Sequence, residues 1–486
     1  MKLFLLGLVI LILGYIDYGK LVEKILGPDD RETPAKKLAD GLDFVVLPHW
    51  KNLLIQLLNI AGVGPVIGVI LGIKFGVIAF VLIPIGNIIG GAVHDFIAGM
   101  MSLRNNGANL PELIRITLGK KFYQFFAIFM CLLLLLVVAV FINIPAQLIA
   151  GLAPSDYTFW IAAIAIFLYY IGATLFPVDK IIGKLYPLFG ALLLVGTFAI
   201  FAVLIVEVIK NPALLEESVA FKQGMFTAEK NNPILPMLFV TIACGILSGF
   251  HATQSPIVAR TMASERQAKS SFYGMMVLEG IIGMIWAAAG LAIYNLKPAL
   301  MAKAPAVVLG DITTTFLGST AGTITVLSVI ILSITSGDTA MRSLRLSLGE
   351  IFKINQVKIF NRIAICLPLI AIVSVLLWWS NASAKSFGFL WNYFAWGNQV
   401  LAVFTLTAGT VWLAAKKKPV FITAIPGTFI TFVILTYILW ISPAHGGPFG
   451  LGLELNHAYI IAGALSVIIM FRSIRRGKEM IGQFED

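Results

Sequence analysis

A succession of apolar runs, each long enough to cross a bilayer, constrains this chain more than any other feature. A spanning helix needs about 20 mostly apolar residues, and inside lipid its backbone must satisfy its own hydrogen bonds. Thirteen candidate spans are legible, at 2–19, 50–73, 76–101, 121–152, 157–176, 183–209, 234–251, 271–296, 317–347, 359–380, 387–414, 419–441 and 456–474. Hydrophobic types make up 59% of the 486 residues and charged types 12%, about half the charged share of a soluble domain. Too few charges remain to cover a water-soluble surface, which argues against a soluble enzyme, a nucleic-acid binder or a disordered scaffold. The predicted fold class is an all-α polytopic membrane protein.

The net charge of +11 reads as topology. Loops after odd-numbered spans and the span ends that flank them, with the C-terminal tail, hold 27 of the 35 Lys and Arg residues, and the other side holds 8. That bias predicts an N-terminus outside and a C-terminus in the cytoplasm. The first apolar run resembles a signal peptide, yet Tyr15, Asp17, Tyr18 and Lys20 follow it in place of a cleavage site, so a retained span is expected. The loops at 20–49 and 210–233 are short for separate cores. Basic groups such as Lys416-Lys417-Lys418 read as orientation signals and lipid-headgroup contacts. Cys131, Cys244 and Cys366 lie in apolar runs without metal-ligand spacing, and the five histidines are scattered. No cofactor, metal site, nucleic-acid partner or catalytic set is expected.

Two spans have poor helical middles. Span two reads Asn59-Ile60-Ala61-Gly62-Val63-Gly64-Pro65, and span seven reads Thr241 through Gly245, Ser248, Gly249 and His251, followed by Thr253-Gln254-Ser255-Pro256. Each pairs glycines with a following proline, which together make a helix easy to unwind. Either can be a packing glycine with an ordinary kink, but their relation favours more. Four spans separate them, so spans two to six and seven to eleven form two five-helix halves of opposite orientation. This is the inverted-repeat plan of many secondary transporters, with the site at mid-depth between the broken helices. The expected division is 1–49, a first helix and loop; 50–209, the first repeat; 210–233, an outer loop; 234–415, the second repeat; and 416–486, two further helices and a tail. Half-helix N-termini suit a carboxylate and unwound carbonyls suit a cation. Candidate substrate residues are Ala61, Gly62, Val63, Gly64, Gly245, Ser248, Gly249, His251 and Gln254.

Charges inside a membrane need a partner or a purpose. His94-Asp95 in span three is either a proton relay or an anchor for a broken helix; successive helical residues diverge by about 100° and need not touch. Glu279 in span eight is either a proton carrier or a structural partner. His251 is a satisfied interior histidine or part of the site. In span nine, Ser333, Thr335, Ser336 and Asp338 offer hard oxygen ligands for a cation or a proton site, while Arg342, one turn on, is a candidate counter-ion for Asp338.

Several stretches together resemble the carbon starvation protein family (CstA), bacterial membrane transporters linked to pyruvate and peptide uptake. They are Thr33-Pro34-Ala35 with Asp40-Gly41-Leu42-Asp43-Phe44, the break at 60–65, Gly90-Gly91-Ala92-Val93-His94-Asp95-Phe96, 238–251, Gly337-Asp338 with Arg342, and Asn398-Gln399. The family commonly has a His-His pair before the first break, where this chain has Gln56-Leu57-Leu58-Asn59. The family is similar to the broken-helix amino-acid transporter superfamily, the LeuT-type (APC) fold. By that likeness, Leu58, Ala61, Leu332, Thr335 and Ser336 fall where sodium-coupled relatives hold their ion. The amides of Val63 and Gly64 fall where a substrate carboxylate binds, and Lys184 is on the span that carries a sodium-replacing lysine in some proton-coupled relatives.

The resemblance implies a secondary transporter in the bacterial cytoplasmic membrane, importing small carboxylates such as pyruvate, or short peptides, with a proton or sodium gradient. The alternative is a membrane sensor binding the same ligands without transport.

Overall fold

The computed structural model describes residues 1–40, 44–175, 179–226, 232–354, 358–445 and 447–484, without the side chains of 179–187, 189, 350, 384 and 385. Part of the motif at 40–44 thus lies outside the described residues. Among the described residues eleven helices are long and apolar enough to cross a membrane, or up to 13 spans if each of two bent pairs is counted as one. They are α1 Lys2–Leu26, α2a His49–Ile60 with α2b Gly64–Phe75, α3 Ala79–Arg104, α4 Lys120–Leu152, α5 Thr158–Leu175, α6 Asp179–Lys210, α7a Ile234–Thr241 with α7b Ala243–Ala259, and α8 Glu265–Leu296. Then follow α9 Pro305–Ile351, α10 Ile359–Ser380, α11 Ala384–Ala415, α12 Phe421–Trp440 and α13 Leu455–Glu479. The chain is a multi-pass membrane protein, and its bent pairs are the two spans whose glycines and prolines predicted a break.

Burial sorts these helices. In their most apolar windows α8 is 89% and α11 94% buried, against 22% for α1 and 28% for α13. The first two form the interior, and the last two turn most of their surface outward. Exposed Phe122, Phe125, Ile128 and Leu132 line one flank of α4, an apolar stripe suited to lipid.

The two broken spans meet through small residues. Gly64, Gly68 and Gly72 recur every fourth residue on α2b, and added Cβ atoms there would lie 2.6 Å from the Cys244 Cβ, 3.1 Å from the Thr241 carbonyl oxygen and 1.9 Å from the Ile242 Cγ2. Small residues at this spacing let helix backbones approach closely. Any side chain at Gly64 or Gly72 would push the pair apart.

Two expectations need correction. The second broken span runs on to Ala259, with Pro256 inside its last helical stretch, His251–Ala259. The chain bends by 69° beside Ile242 and unwinds again before His251, with Leu247 extended at φ −165° and ψ 101°. The interruption therefore precedes the proline. In α9, Gly318 at φ 75° turns the chain back, and an added Cβ at Gly322 would lie 2.8 Å from the Thr313 carbonyl oxygen. The predicted span at 317–347 is thus the second arm of a helical hairpin. Its first arm carries Asp311, paired with Lys297 at 2.7 Å.

The side that carries the 20–49 loop is closed by a charged knot. Arg104 at the end of α3 donates to Glu265 at the start of α8 (2.8 and 3.0 Å) and to the Gly27 carbonyl (2.6 Å). Glu265 also accepts from the Asp29 amide at 2.9 Å, and Lys418 donates to the Leu26 carbonyl at 2.7 Å. Arg104 and Glu265 are buried in side-chain exposure, at 5% and 2%. Their bidentate, charge-assisted contact joins α3 to α8.

Candidate substrate and coupling site

The two breaks face each other across a small cavity of about 30 Å³. Asn59, Gly62 and Gly64 line it from the first break, and Cys244, Ser248 and His251 from the second. Phe141 of α4, Ser336 of α9, and Phe394 and Asn398 of α11 complete the wall. The first break is a tight turn: the Gly62 amide donates to the Ile60 carbonyl at 2.8 Å, and α2b starts at Gly64 with Pro65 in its first turn. First-turn amides have no acceptor inside their own helix, so this end carries partial positive charge.

At the second break the backbone is held from outside. The Gly249 amide donates to the Asn398 carbonyl at 3.0 Å, and the Ser248 hydroxyl lies 3.5 Å from the Asn398 Oδ1. Gln399 donates to the Phe239 carbonyl at 2.8 Å. The approach is close enough that a Cβ on Gly249 would stand 2.3 Å from the Ala402 amide nitrogen. On the opposite flank, an added Cβ at Gly91 would lie 2.2 Å from the Ile246 carbonyl oxygen. That contact accounts physically for Gly91, the second glycine of the pair that precedes His94-Asp95.

Four buried ionisable residues, scattered in sequence, converge beside this break. His94 and Asp95 do touch, Nδ1 to Oδ1, at 2.8 Å. The other Asp95 oxygen lies 3.1 Å from the His251 Nδ1, and the His251 Nε2 lies 3.8 Å from the Glu279 Oε1. The line runs from α3 through α7b to α8, and all four residues are buried. Neither Glu279 oxygen has a hydrogen-bond partner among the described residues. An ionised carboxylate accepts only, so Asp95 fixes protons on the Nδ1 atoms of both histidines. The His251 Nε2 is then left as an acceptor facing Glu279. The contacts that anchor the broken helix are thus the same ones that a relay would use.

Of the predicted substrate residues, Gly62, Gly64, Ser248 and His251 line the cavity. Ala61 and Val63 are buried in the first turn. Gly245 packs on Val69 and Gly249 on α11, while Gln254 lies farther along α7b and donates to Thr253 at 2.9 Å. Of the coupling-ion set, Ser336 alone lines the cavity, its hydroxyl 3.7 Å from an added Cβ at Gly62. Leu58 lies against Gly190, Leu332 is buried on α9, and the Thr335 hydroxyl donates to the Leu332 carbonyl at 3.0 Å. Asp338 lies 3.8 Å from Arg342 and 3.5 Å from the Tyr169 hydroxyl, so the plain ion pair considered for it is present. Lys184 lies on α6, and its side chain is outside the described residues. Sequence reasoning missed Asn59, Phe141, Phe394 and Asn398. Asparagines in mid-span were the available signal for two of them; the aromatics look like any core residue.

On the side away from the charged knot a vestibule of about 400 Å³ opens, with Gln147, Asn232, Lys303, Ser380, Asn381 and Asn392 among its polar lining residues. Trp391, Leu71 and Thr241 stand at its walls.

Two broken helices facing one cavity frame the fold, and solved structures of membrane transporters share that fold. The sodium-coupled sialic acid symporter matches with a TM-score of 0.55 at 11% identity, over 98% of this chain and 96% of that one. The manganese transporter of Eremococcus coleocola matches at 0.53 and 12% identity, over 92% and 99%. At such identities the likeness concerns the fold. The family model for carbon starvation protein CstA matches residues 1–178, 155–316 and 298–437. The chain belongs to that family.

An uncharacterized membrane protein of Haemophilus influenzae is 40% identical over 339 residues, 60% of this chain and 91% of that protein. The peptide transporter CstA of Helicobacter pylori is 28% identical over 335 residues, 56% of this chain and 48% of that protein. That of Bacillus subtilis is 27% identical over 353 residues, 60% and 57%. The matches thus span about half the length of the relatives named as peptide transporters.

Proposed function

We propose that this protein is a secondary active importer of small carboxylates, pyruvate or short peptides, coupled to a proton gradient through the line His94–Asp95–His251–Glu279. The observation that carries the reading is that this line ends on His251, a residue that also lines the cavity between the breaks. A substrate carboxylate would meet the amides at the start of α2b, where helix N-termini favour anions. Asn59, Ser248 and Asn398 supply neutral donors and acceptors for the rest of the molecule.

A cavity of about 30 Å³ holds little more than one water. Substrate entry therefore requires the broken helices to separate, and that motion is the coupling step. A proton on Glu279 can pass to the His251 Nε2, which leaves an imidazolium between two carboxylates. The charge then sits on the broken helix itself and alters its attraction to α3 and α8. The N-terminus outside and the C-terminus in the cytoplasm, as the Lys and Arg bias predicts, would put the vestibule on the outer face of the bacterial cytoplasmic membrane. The relatives named as peptide transporters support the substrate class.

The test is uptake of labelled pyruvate and of a labelled dipeptide into proteoliposomes, with proton and sodium gradients imposed separately. Accumulation driven by the proton gradient and lost in Glu279→Gln is expected. Accumulation driven by sodium alone, and lost when Thr335 and Ser336 become Ala, would replace the proton line by the α9 hydroxyls. No accumulation of either substrate would remove the function.

A further inference from the structure

Trp391 stands between the vestibule and the central cavity. It lines the vestibule, and its ring packs on Phe394 with centroids 5.4 Å apart. Phe394 packs edge-on against Phe141 at 6.2 Å, and these two rings line the central cavity. The three aromatics thus make a partition whose outer face is the indole.

Trp391 is 1% exposed, yet its N–H has no hydrogen-bond partner among the described residues. A buried tryptophan N–H usually has one. Trp286 donates to the Thr197 hydroxyl at 3.1 Å and Trp396 to the Ile434 carbonyl at 3.0 Å. The Trp391 Cζ2, on the same edge as the N–H, lies 3.4 Å from an added Cβ at Gly68, where the Thr241 carbonyl also approaches. The N–H edge therefore faces the seam between α2b and α7a, the outer halves of the broken spans.

We infer that Trp391 is the outer partition of the transport path and that its N–H is a substrate-recognition donor, taken up by a carboxylate or carbonyl oxygen as ligand descends from the vestibule. This rests on the transport reading for its second half alone. A ring wedged at that seam blocks the way to the cavity, and swinging it toward the vestibule would present the unused donor to an incoming acceptor.

Cys244 lines the central cavity and provides a reporter that needs no substrate. With Cys131 and Cys366 changed to Ala, the rate of Cys244 labelling by a polar maleimide is measured in detergent-solubilised protein. Trp391→Ala is expected to raise that rate at least tenfold, and Trp391→Phe, which keeps a ring, to leave it within twofold. In proteoliposomes Trp391→Phe is expected to raise the KM for labelled pyruvate or dipeptide about tenfold with Vmax within twofold. Should Trp391→Ala not fold, Trp391→Leu serves for the labelling arm. Labelling at the unchanged rate in the small-residue variant overturns the partition, and an unchanged KM in Trp391→Phe overturns the donor. Faster labelling in a protein that transports neither probe would sink the proposed function while upholding the partition.

Discussion

The two breaks differ in how they are held. The first is closed by its own backbone, and its fit to neighbours is made by glycines: Gly62 faces Ser336 with room for ordinary contact, and Gly64 abuts Cys244. The second is fastened from two sides, by Asn398 and Gln399 of α11 and by Asp95 of α3 through His251. A glycine-packed turn can slide at little energetic cost, whereas a hydrogen-bonded one moves only when a bond changes partner or charge. On the proposed transport reading, the first break would accommodate cargo and the second would sense the proton.

The largest effect expected from breaking this contrast is at Asp95. Asp95→Ala leaves two buried histidines without their acceptor, and loss of one member of a buried charged set destabilises by about 3–5 kcal/mol. Thermal unfolding in detergent reads this, and Asp95→Asn, which keeps the shape, is expected to retain substrate exchange while losing proton-driven accumulation. Next come the two glycines. Gly249→Ala forces a Cβ into the backbone of α11 and should cost about 1–3 kcal/mol, the usual range for overpacking. Gly62→Ala meets its nearest neighbouring atom, the Ser336 hydroxyl, at 3.7 Å and should change stability by less than about 0.5 kcal/mol. Equal losses at both positions would erase the distinction.

The smallest effect concerns the charged knot. The Arg31 hydrogen bond to Asp29, opposed by burial and aided by the Arg31 and Arg104 charges, holds the Asp29 carboxyl well below the usual carboxylate range. A depressed value stabilises the folded state above the ordinary carboxylate range, and this is lost only as pH falls through the lowered value. Asp29→Asn should lower the melting temperature by at most about 2 °C at neutral pH, since half-exposed pairs contribute about 0–1 kcal/mol. The difference from the parent protein should persist down to the ordinary carboxylate range and fade in stronger acid.

Much of this fold was legible because lipid makes local pattern decisive. Apolar run length located the spans, and the glycines at 62, 64, 245 and 249 located the breaks. The end of the second broken span was misjudged, because its last helical stretch continues through Pro256 to Ala259, and a proline inside a helix carries no local signal that the helix goes on. The first arm of the α9 hairpin was missed since Asp311 and the threonines beside it make it too polar to read as a span. The site was legible residue by residue but not as an assembly. His94, Asp95, His251 and Glu279 each stood out as ionisable groups in apolar runs, while their meeting depends on three helices packing side by side. Trp391 gave no warning at all, since an aromatic in a span is ordinary until its nitrogen is found without an acceptor.

Arg104 grips the backbone at Gly27 as well as Glu265, and Lys418 holds the neighbouring Leu26 carbonyl. The leading helix α1 is therefore a strut and no bystander. On the proposed transport reading, any motion that parts α3 from α8 on that face must either drag this strut along or release it, so the freedom of α1 becomes a gauge of which way the molecule is tipped.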